Sequence, residues 1–402
     1  MMTEKLYYEN QYEKSFTAEI INIVEKDNEF HIVLDKTNFY PEGGGQPSDI
    51  GTIESIPVSS VYENDGLIYH ITNKKPIKIH KVKCSINWEN RFDFMQQHLG
   101  QHILSACLLE KFNASTVAAH LGLTSCTIDV DKILNITQIE EAVSYANDII
   151  FENIPVDILY PTKSELKKLS IKKTSIKIGE QIRIVKISDL DINPCCGVHP
   201  KSTLEVQIIK VVKFEKHKTG TRIEFLCGKR GIQNSFINDK FASTVCSNLH
   251  CNPEDAILQI EKLTQDFSKL SAENRAIKSE IADYEIKEII ENCDKIGGIS
   301  IIKLIHSDMD LKHVNLLASK LVAYDNVIVL FGVKADDRAT LIFMCSKDLN
   351  IVSMNTLLKD AITLIDGKGG GSNFSAQGGG KSTNNISSAL DYAYMKVQNA
   401  IN

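Results

Sequence analysis

His98-Leu99-Gly100-Gln101-His102 lies inside a stretch, Arg91–Phe112, that reads as one helix, and a second fragment, Cys195-Cys196-Gly197-Val198-His199, follows far along the chain. Phe94, Leu99, Ile103, Ala106 and Cys107 recur at helical spacing, with Asn90 placed to cap the start. Residues four apart on a helix point from one face with β-carbons about 5–6 Å apart, so His98 and His102 can share a ligand. In the second fragment Asn193-Pro194 breaks regular structure, and Gly197 permits a turn that returns His199 to Cys195. Either pair alone reads as ordinary buried or surface side chains. Together they supply three imidazoles and a thiolate, a tetrahedral set for one Zn²⁺. A one-residue slip would make Cys196 the sulfur ligand in place of Cys195. The helical zinc-protease pattern requires Glu directly after the first His, and Leu99 stands there, so that general base is missing. Four protein ligands close a structural site whereas catalytic zinc keeps a position open, and the sequence leaves both arrangements open.

Composition narrows the function classes. A chain of 402 residues with 43% hydrophobic content has room for two to three domains with ordinary cores. A net charge of -6 excludes a uniformly basic nucleic-acid binder, so any RNA contact comes from local patches, and no DNA partner is expected. The N-terminal run MMTEKLYYENQYEKSF carries charges throughout and no apolar core, so no signal peptide is read. No apolar run reaches membrane length; Val327 to Val333 reads as a buried strand, and no membrane partner is expected. Ten cysteines without secretory features fit a reducing, cytoplasmic setting.

Working outward, residues 1–88 read as all-β, with short strands around Thr17–Val24, His31–Asp35 and Leu67–Ile71. Between them lies Phe39-Tyr40-Pro41-Glu42-Gly43-Gly44-Gly45-Gln46-Pro47, whose glycines allow close backbone approach or make a flexible hairpin connection. Residues 89–230 mix helices with strands at Leu123–Val130, Gln181–Ile187, Ile208–Phe214 and Thr221–Leu226. Residues 231–296 form a helical connector in which Ile260, Leu263, Phe267, Leu270, Asn274, Ile277, Ile281 and Tyr284 follow a heptad seam. That seam fits a helix packed on its own domain or a coiled coil, within or between chains. Residues 297–402 alternate strands and helices as a small α/β domain, with a glycine-rich loop from Gly367 to Gly380 and then a last helix near Ser387–Gln398.

HxxxH followed at this distance by a Cys-x-Gly-x-His element resembles the editing domain of alanyl-tRNA synthetases and the free-standing alanyl-tRNA editing proteins. Asp35-x-Thr37-x-Phe39-Tyr40-Pro41-x-Gly43-Gly44-Gly45-Gln46 looks like the glycine-rich motif of the preceding barrel, and Trp88-x-x-Arg91-x-x-x-Met95-x-x-His98 like the entry into the metal helix. Arg183-Ile184-Val185 and Thr221-Arg222-Ile223-Glu224 fit later strands, and Gly367–Gly380 is similar to the loop of the DHH-associated domain. Cys196 stands where that family usually has glycine. The resemblance covers nearly the whole chain and implies an α+β multidomain fold: N-terminal β-barrel, zinc-binding α+β editing domain, long helical connector and C-terminal α/β domain. With nothing before the barrel to house ATP-dependent aminoacylation, the chain looks like the long free-standing form.

The resemblance implies zinc-dependent hydrolysis of the ester in Ser-tRNA(Ala) or Gly-tRNA(Ala), with Ala-tRNA(Ala) spared. A synthetase pocket for alanine cannot strongly exclude glycine or serine, so a second site has a chemical reason to exist. Thr37 becomes the candidate contact for the serine hydroxyl, or a turn-stabilising threonine. Gln46 is the candidate for orienting a water or the ester carbonyl. RNA contacts are expected from the clusters Lys163, Lys167, Lys168, Lys172, Lys173, Lys177 and Lys210, Lys213, Lys216, Lys218, Arg222, Lys229, Arg230, and from Lys368 and Lys381. A homodimer through the connector or C-terminal domain fits the seam. The competing reading is a non-catalytic tRNA-binding module with a structural zinc.

Overall fold

Alternation in Leu67-Ile68-Tyr69-His70-Ile71-Thr72 sends Ile68, His70 and Thr72 inward and their neighbours outward, the pattern of a strand with one buried face. The same period runs through β1 (Ser15–Lys26), β2 (Glu29–Leu34), β3 (Gly51–Ile53), β4 (Ile56–Asn64), β5 (Leu67–Thr72) and β6 (Lys81–Ile86). In this computed structural model, which describes residues 2–77, 80–166, 182–335 and 337–401, these strands close into a barrel in the order β1-β2-β5-β4-β3-β6. Asp27-Asn28, Glu54-Ser55 and Asp65-Gly66 turn the hairpins with both residues at positive φ, matching the strand twist. Chain packing divides the molecule into two units, Met1–Asn248 and Leu249–Asn402.

In the first unit, helix α1 (Trp88–Phe112) leaves the barrel directly. Its cap is Asn87, whose side chain accepts from the Asn90 N–H at 3.1 Å. The expected cap, Asn90, is thus the donor one turn inside, because the strand ends at Ile86 and leaves Asn87 extended. α1 serves two cores. Met95 packs with the barrel interior, while Leu99, Ile103, Leu104, Cys107 and Leu108 pack into a second core. That core lies beneath β7 (Thr116–Leu121), β8 (Cys126–Val130), β12 (Ile209–His217) and β13 (Gly220–Cys227), ordered β12-β13-β8-β7, and α2 (Ile136–Phe151). The strand expected from Leu123 starts at Cys126, since Gly122 N bonds Ser125 O and closes a turn there. A three-stranded sheet, β9 (Val156–Leu159), β10 (Ile184–Ile187) and β11 (Asp191–Pro194), carries the segment leading to Cys195. Helix α3 (Gly228–Leu249) follows.

The second unit begins with α4 (Pro253–Glu291), with Pro253 in its first turn and Asn252 before it. Its seam residues Ile260, Leu263, Phe267, Leu270, Ile277, Ile281 and Tyr284 are 45% to 73% exposed, whereas Ala282 and Ile286 are buried in its own core. A six-stranded sheet holds β14 (Asp294–Ile296), β15 (Ile299–Ser307), β16 (Val327–Lys334), β17 (Ala339–Cys345), β18 (Gly367–Gly371) and β19 (Ser375–Gly380), ordered β14-β15-β16-β17-β19-β18. Helices α5 (Leu311–Leu321), α6 (Met354–Ala361) and α7 (Ile386–Ile401) cover it. The glycine-rich stretch expected as a loop is therefore an antiparallel strand pair, with Lys368 opposite Gly379. The glycines make room: a Cβ on Gly380 would lie 2.1 Å from Ile365 O, and one on Gly378 the same distance from Ile362 Cδ1. Among the described residues no helix is long and apolar enough to cross a membrane.

Candidate metal centre

α1 presents His98 and His102 one turn apart, and the loop after β11 brings Cys195 and His199 to them. One donor atom from each lies within 4.8 Å of the others. Cys195 Sγ is 3.4 Å from His98 Nε2 and 3.6 Å from His199 Nε2. A zinc tetrahedron with Zn–N of about 2.0 Å and Zn–S of about 2.3 Å has N···S edges of about 3.5 Å, so these separations fit. Cys196 is exposed, and its carbonyl accepts from the Tyr8 hydroxyl at 2.8 Å.

The groups behind the ligands fix their tautomers. Val198 N–H donates to Gln46 Oε1 at 3.1 Å, which orients the amide. The same oxygen, 3.0 Å from His98 Nδ1, must then receive that ring's proton, leaving Nε2 with its lone pair toward the cluster. His102 Nδ1 donates to Asp191 Oδ2 at 2.8 Å, and Asn193 Nδ2 holds the other carboxylate oxygen. His102 Nε2 is buried without a hydrogen-bond partner, as is His199 Nδ1. A buried imidazole nitrogen with no hydrogen-bond partner, facing a thiol and two imidazoles, suits a cation that displaces the proton there on binding. Burial opposes ionisation of Cys195, yet the imidazoles of His98 and His199 hold its thiol well below the ordinary range. Burial also opposes charge on His102, but Asp191 and Cys195 outweigh it and raise its pKa to about 10. Burial lowers His199 to about 3.

Gly197 sits in the bend that returns His199 to Cys195, as the sequence suggested, and it has a second job. Its φ is not positive, but it also supplies space, since a Cβ there would sit 2.2 Å from His98 Cε1 and 2.9 Å from Gln46 Oε1. The positive-φ pair is Gly44 and Gly45, bracketed by hydrogen bonds between Gly43 and Gln46. This tight turn aims Gln46 at His98. Asp191 escaped the sequence reading. The available signal was chemical, because a metal-binding imidazole needs an acceptor for its second N–H and a carboxylate four residues before Cys195 could supply it. Asp191→Asn is expected to weaken zinc binding about 10–100-fold, measured by competition with a chelating dye. Unchanged affinity would refute the role given to Asp191.

Thr37 lies inside the barrel with no exposed surface. Its Oγ1 is 2.8 Å from His70 Nε2 and accepts from Phe39 N–H at 3.1 Å. His70 Nδ1 donates to Ile32 O, so Nε2 takes the threonine proton. Burial lowers the His70 pKa from 6.5 to about 4. Between those values the unfolded chain binds a proton that the folded barrel refuses, so stability is full above the upper value and declines as pH falls. The loss is about 3 kcal/mol by pH 4. Urea titrations of metal-stripped protein at pH 7 and 4.5 should show His70→Gln losing less stability on acidification than the parent chain. Equal losses would remove His70 from the account.

Gln46 acts through His98 in this geometry, and its Nε2 is buried without a partner. Of the expected RNA-contact residues, Lys168 and Lys172 lie outside the described residues, as do Lys167, Lys173 and Lys177. Arg222 is engaged by Asp129, with Nε and Nη2 each 2.7 Å from a carboxylate oxygen. Lys368 and Lys381 are exposed on and beside the glycine strands of the second unit.

Comparison with known proteins agrees with this architecture. Residues 2–90 match the family described as tRNA synthetases class II (A), residues 182–224 the threonyl and alanyl tRNA synthetase second additional domain, and residues 298–399 the DHHA1 domain. Alanine–tRNA ligase of Methanobrevibacter smithii is 28% identical over 97% of this chain but only 45% of the ligase. The alanyl-tRNA editing protein Aarsd1 of Rattus norvegicus is 28% identical over 87% of this chain and 84% of its own. The alanyl-tRNA editing protein AlaX-L of Pyrococcus horikoshii is 34% identical over 391 residues, 94% of each chain. A likeness that runs the length of both chains and includes the domain bearing Cys195 and His199 places this protein in the alanyl-tRNA editing protein family.

Proposed function

We propose that this chain deacylates alanine-specific tRNA mischarged with serine or glycine, using a zinc ion held by His98, His102, Cys195 and His199, and leaves Ala-tRNA(Ala) intact. The observation that carries the reading is the convergence of those four donors within 4.8 Å, with His102 Nε2 buried and without a hydrogen-bond partner. Bound zinc would supply Lewis acidity toward the ester carbonyl or a water. Asp191 and Gln46 hold the two helix imidazoles in the ligating tautomer. The Gln46 amide nitrogen, buried without a partner, is the donor proposed for the substrate's carbonyl oxygen. Thr37 is proposed to act on serine selectivity, as a contact for the serine hydroxyl or by stabilising the backbone at Phe39, since its hydroxyl pairs with His70 and accepts from Phe39 N–H. Lys368 and Lys381 are proposed to meet the tRNA backbone, and the exposed seam of α4 supports a homodimer. Such work belongs in the cytoplasm, where charged tRNA is used.

Purified protein incubated with Ser-, Gly- and Ala-tRNA(Ala), with and without chelator, tests the proposal. Serine or glycine should be released, alanine should largely stay, and chelation should stop turnover. Equal hydrolysis of all three would overturn the selectivity. The second reading, a tRNA-binding module with a structural zinc, is favoured by a donor set that already fills a tetrahedron. Under it, chelation lowers the melting temperature while the metal-loaded protein releases no amino acid.

A further inference from the structure

The segment that carries Cys195 and His199 has no regular structure of its own, since β11 ends at Pro194. Gly197, Val198 and His199 are buried all the same, so the backbone there needs partners other than water. Two side chains supply them to three consecutive carbonyls. Arg183 precedes β10, and its own carbonyl accepts from Cys195 N–H at 3.2 Å, extending the β10–β11 ladder by one step. Its Nη1 then donates to Cys195 O at 2.7 Å and to Gly197 O at 2.9 Å. One nitrogen thus draws together the carbonyls of residues two apart, which bends the loop. Inside that bend Gly197 N–H points at Cys195 Sγ, 3.4 Å away. The Tyr8 hydroxyl donates to the intervening carbonyl, that of Cys196, at 2.8 Å. The Arg183 guanidinium lies 4.7 Å over the Tyr8 ring, so the two halves of the clamp also hold each other. Gln11 Nε2 reaches His199 O at 3.4 Å, adding a further anchor from the same N-terminal segment.

We propose that Arg183 and Tyr8 are positioning residues of the metal centre: they hold the loop in the bend that places Cys195 Sγ on the polyhedron set by His98 and His102. This rests on the reading that the cluster holds a metal ion, and neither residue touches the reacting atoms. The N-terminal segment is thereby part of the centre, although it contributes no ligand.

The test uses full-length protein loaded with cobalt(II), whose thiolate charge-transfer band in the near ultraviolet reports the Cys195 bond directly. Tyr8→Phe keeps the ring under Arg183 and removes one hydrogen bond; it should weaken metal affinity about fivefold. Arg183→Met removes both carbonyl contacts and should weaken affinity about 10–100-fold. Arg183→Lys should fall between them. In each variant the charge-transfer band should drop, and kcat for Ser-tRNA(Ala) should fall while KM stays near the parent value. Full thiolate intensity and parent affinity in both Tyr8→Phe and Arg183→Met would overturn the clamp while leaving the metal reading standing. A parent protein that binds cobalt(II) without any thiolate band would overturn both together. Should Arg183→Met fail to fold, Tyr8→Phe decides alone.

Discussion

Under the proposed zinc-dependent deacylation, Gly197→Ala is expected to strip the metal and abolish turnover almost as thoroughly as His98→Ala, although it removes no candidate ligand. The added methyl would sit 2.2 Å from His98 Cε1 and 2.3 Å from Nδ1, well inside contact distance. Neither side can retreat cheaply. The ring is held from behind by Gln46, and the loop is held by Arg183 through the carbonyls on either side of Cys196. Relief therefore comes from turning His98 out of the ligating orientation or from displacing Cys195. Activity on Ser-tRNA(Ala) should fall by more than the ~10–100-fold that loss of an outer-shell partner costs, for Gly197→Ala and for His98→Ala alike. Zinc content by elemental analysis and single-turnover release of serine are the measurements. A Gly197→Ala protein with full zinc content and parent turnover would show that the loop and the ring are not in contact.

The same residues show what could and could not be read from sequence. The four donors are legible because residue chemistry and an i, i+4 spacing survive without any knowledge of the fold. Gly197 is legible only as a glycine. Whether it serves a turn or a close approach depends on what packs against it, and here that is a ring from a helix almost a hundred positions earlier. Asp191 and Arg183 look like ordinary strand residues until β10 and β11 pair and direct them at the loop. By residue type Asn87 and Asn90 are equally good caps for α1, and only the end of β6 selects Asn87. The glycine run from Gly367 reads as a loop by composition. It pairs as strands nonetheless, and at Gly369, Gly371 and Gly380 the neighbouring backbone then lies too close for a side chain.

Arg91→Met is expected to cost about 3–5 kcal/mol of stability, the second large effect. Arg91 is fully buried, seven residues and two turns before His98, so the two side chains leave α1 toward the same part of the barrel motif. Arg91 Nε lies 2.9 and 3.0 Å from the two Asp49 carboxylate oxygens, and Nη2 also bonds that carboxylate. Nη1 donates to the Gln11 carbonyl and Nη2 to that of Asn38. Asp49 in turn accepts from Tyr40 N–H at 2.6 Å, next to the turn that aims Gln46 at His98. Methionine fills most of the volume, so the loss is electrostatic: a carboxylate and two carbonyls stay buried without their donor. Since folded proteins rest on about 5–15 kcal/mol in total, this is a large fraction. Equilibrium urea unfolding measures it, and a change under about 1 kcal/mol would show that water or another group replaces the guanidinium. The double variant Arg91→Met/Asp49→Leu should recover part of the stability, because removing both charges leaves neither stranded. It should not recover metal affinity to the same degree, since the carboxylate that holds Tyr40, and through it the Gln46 turn, is then gone.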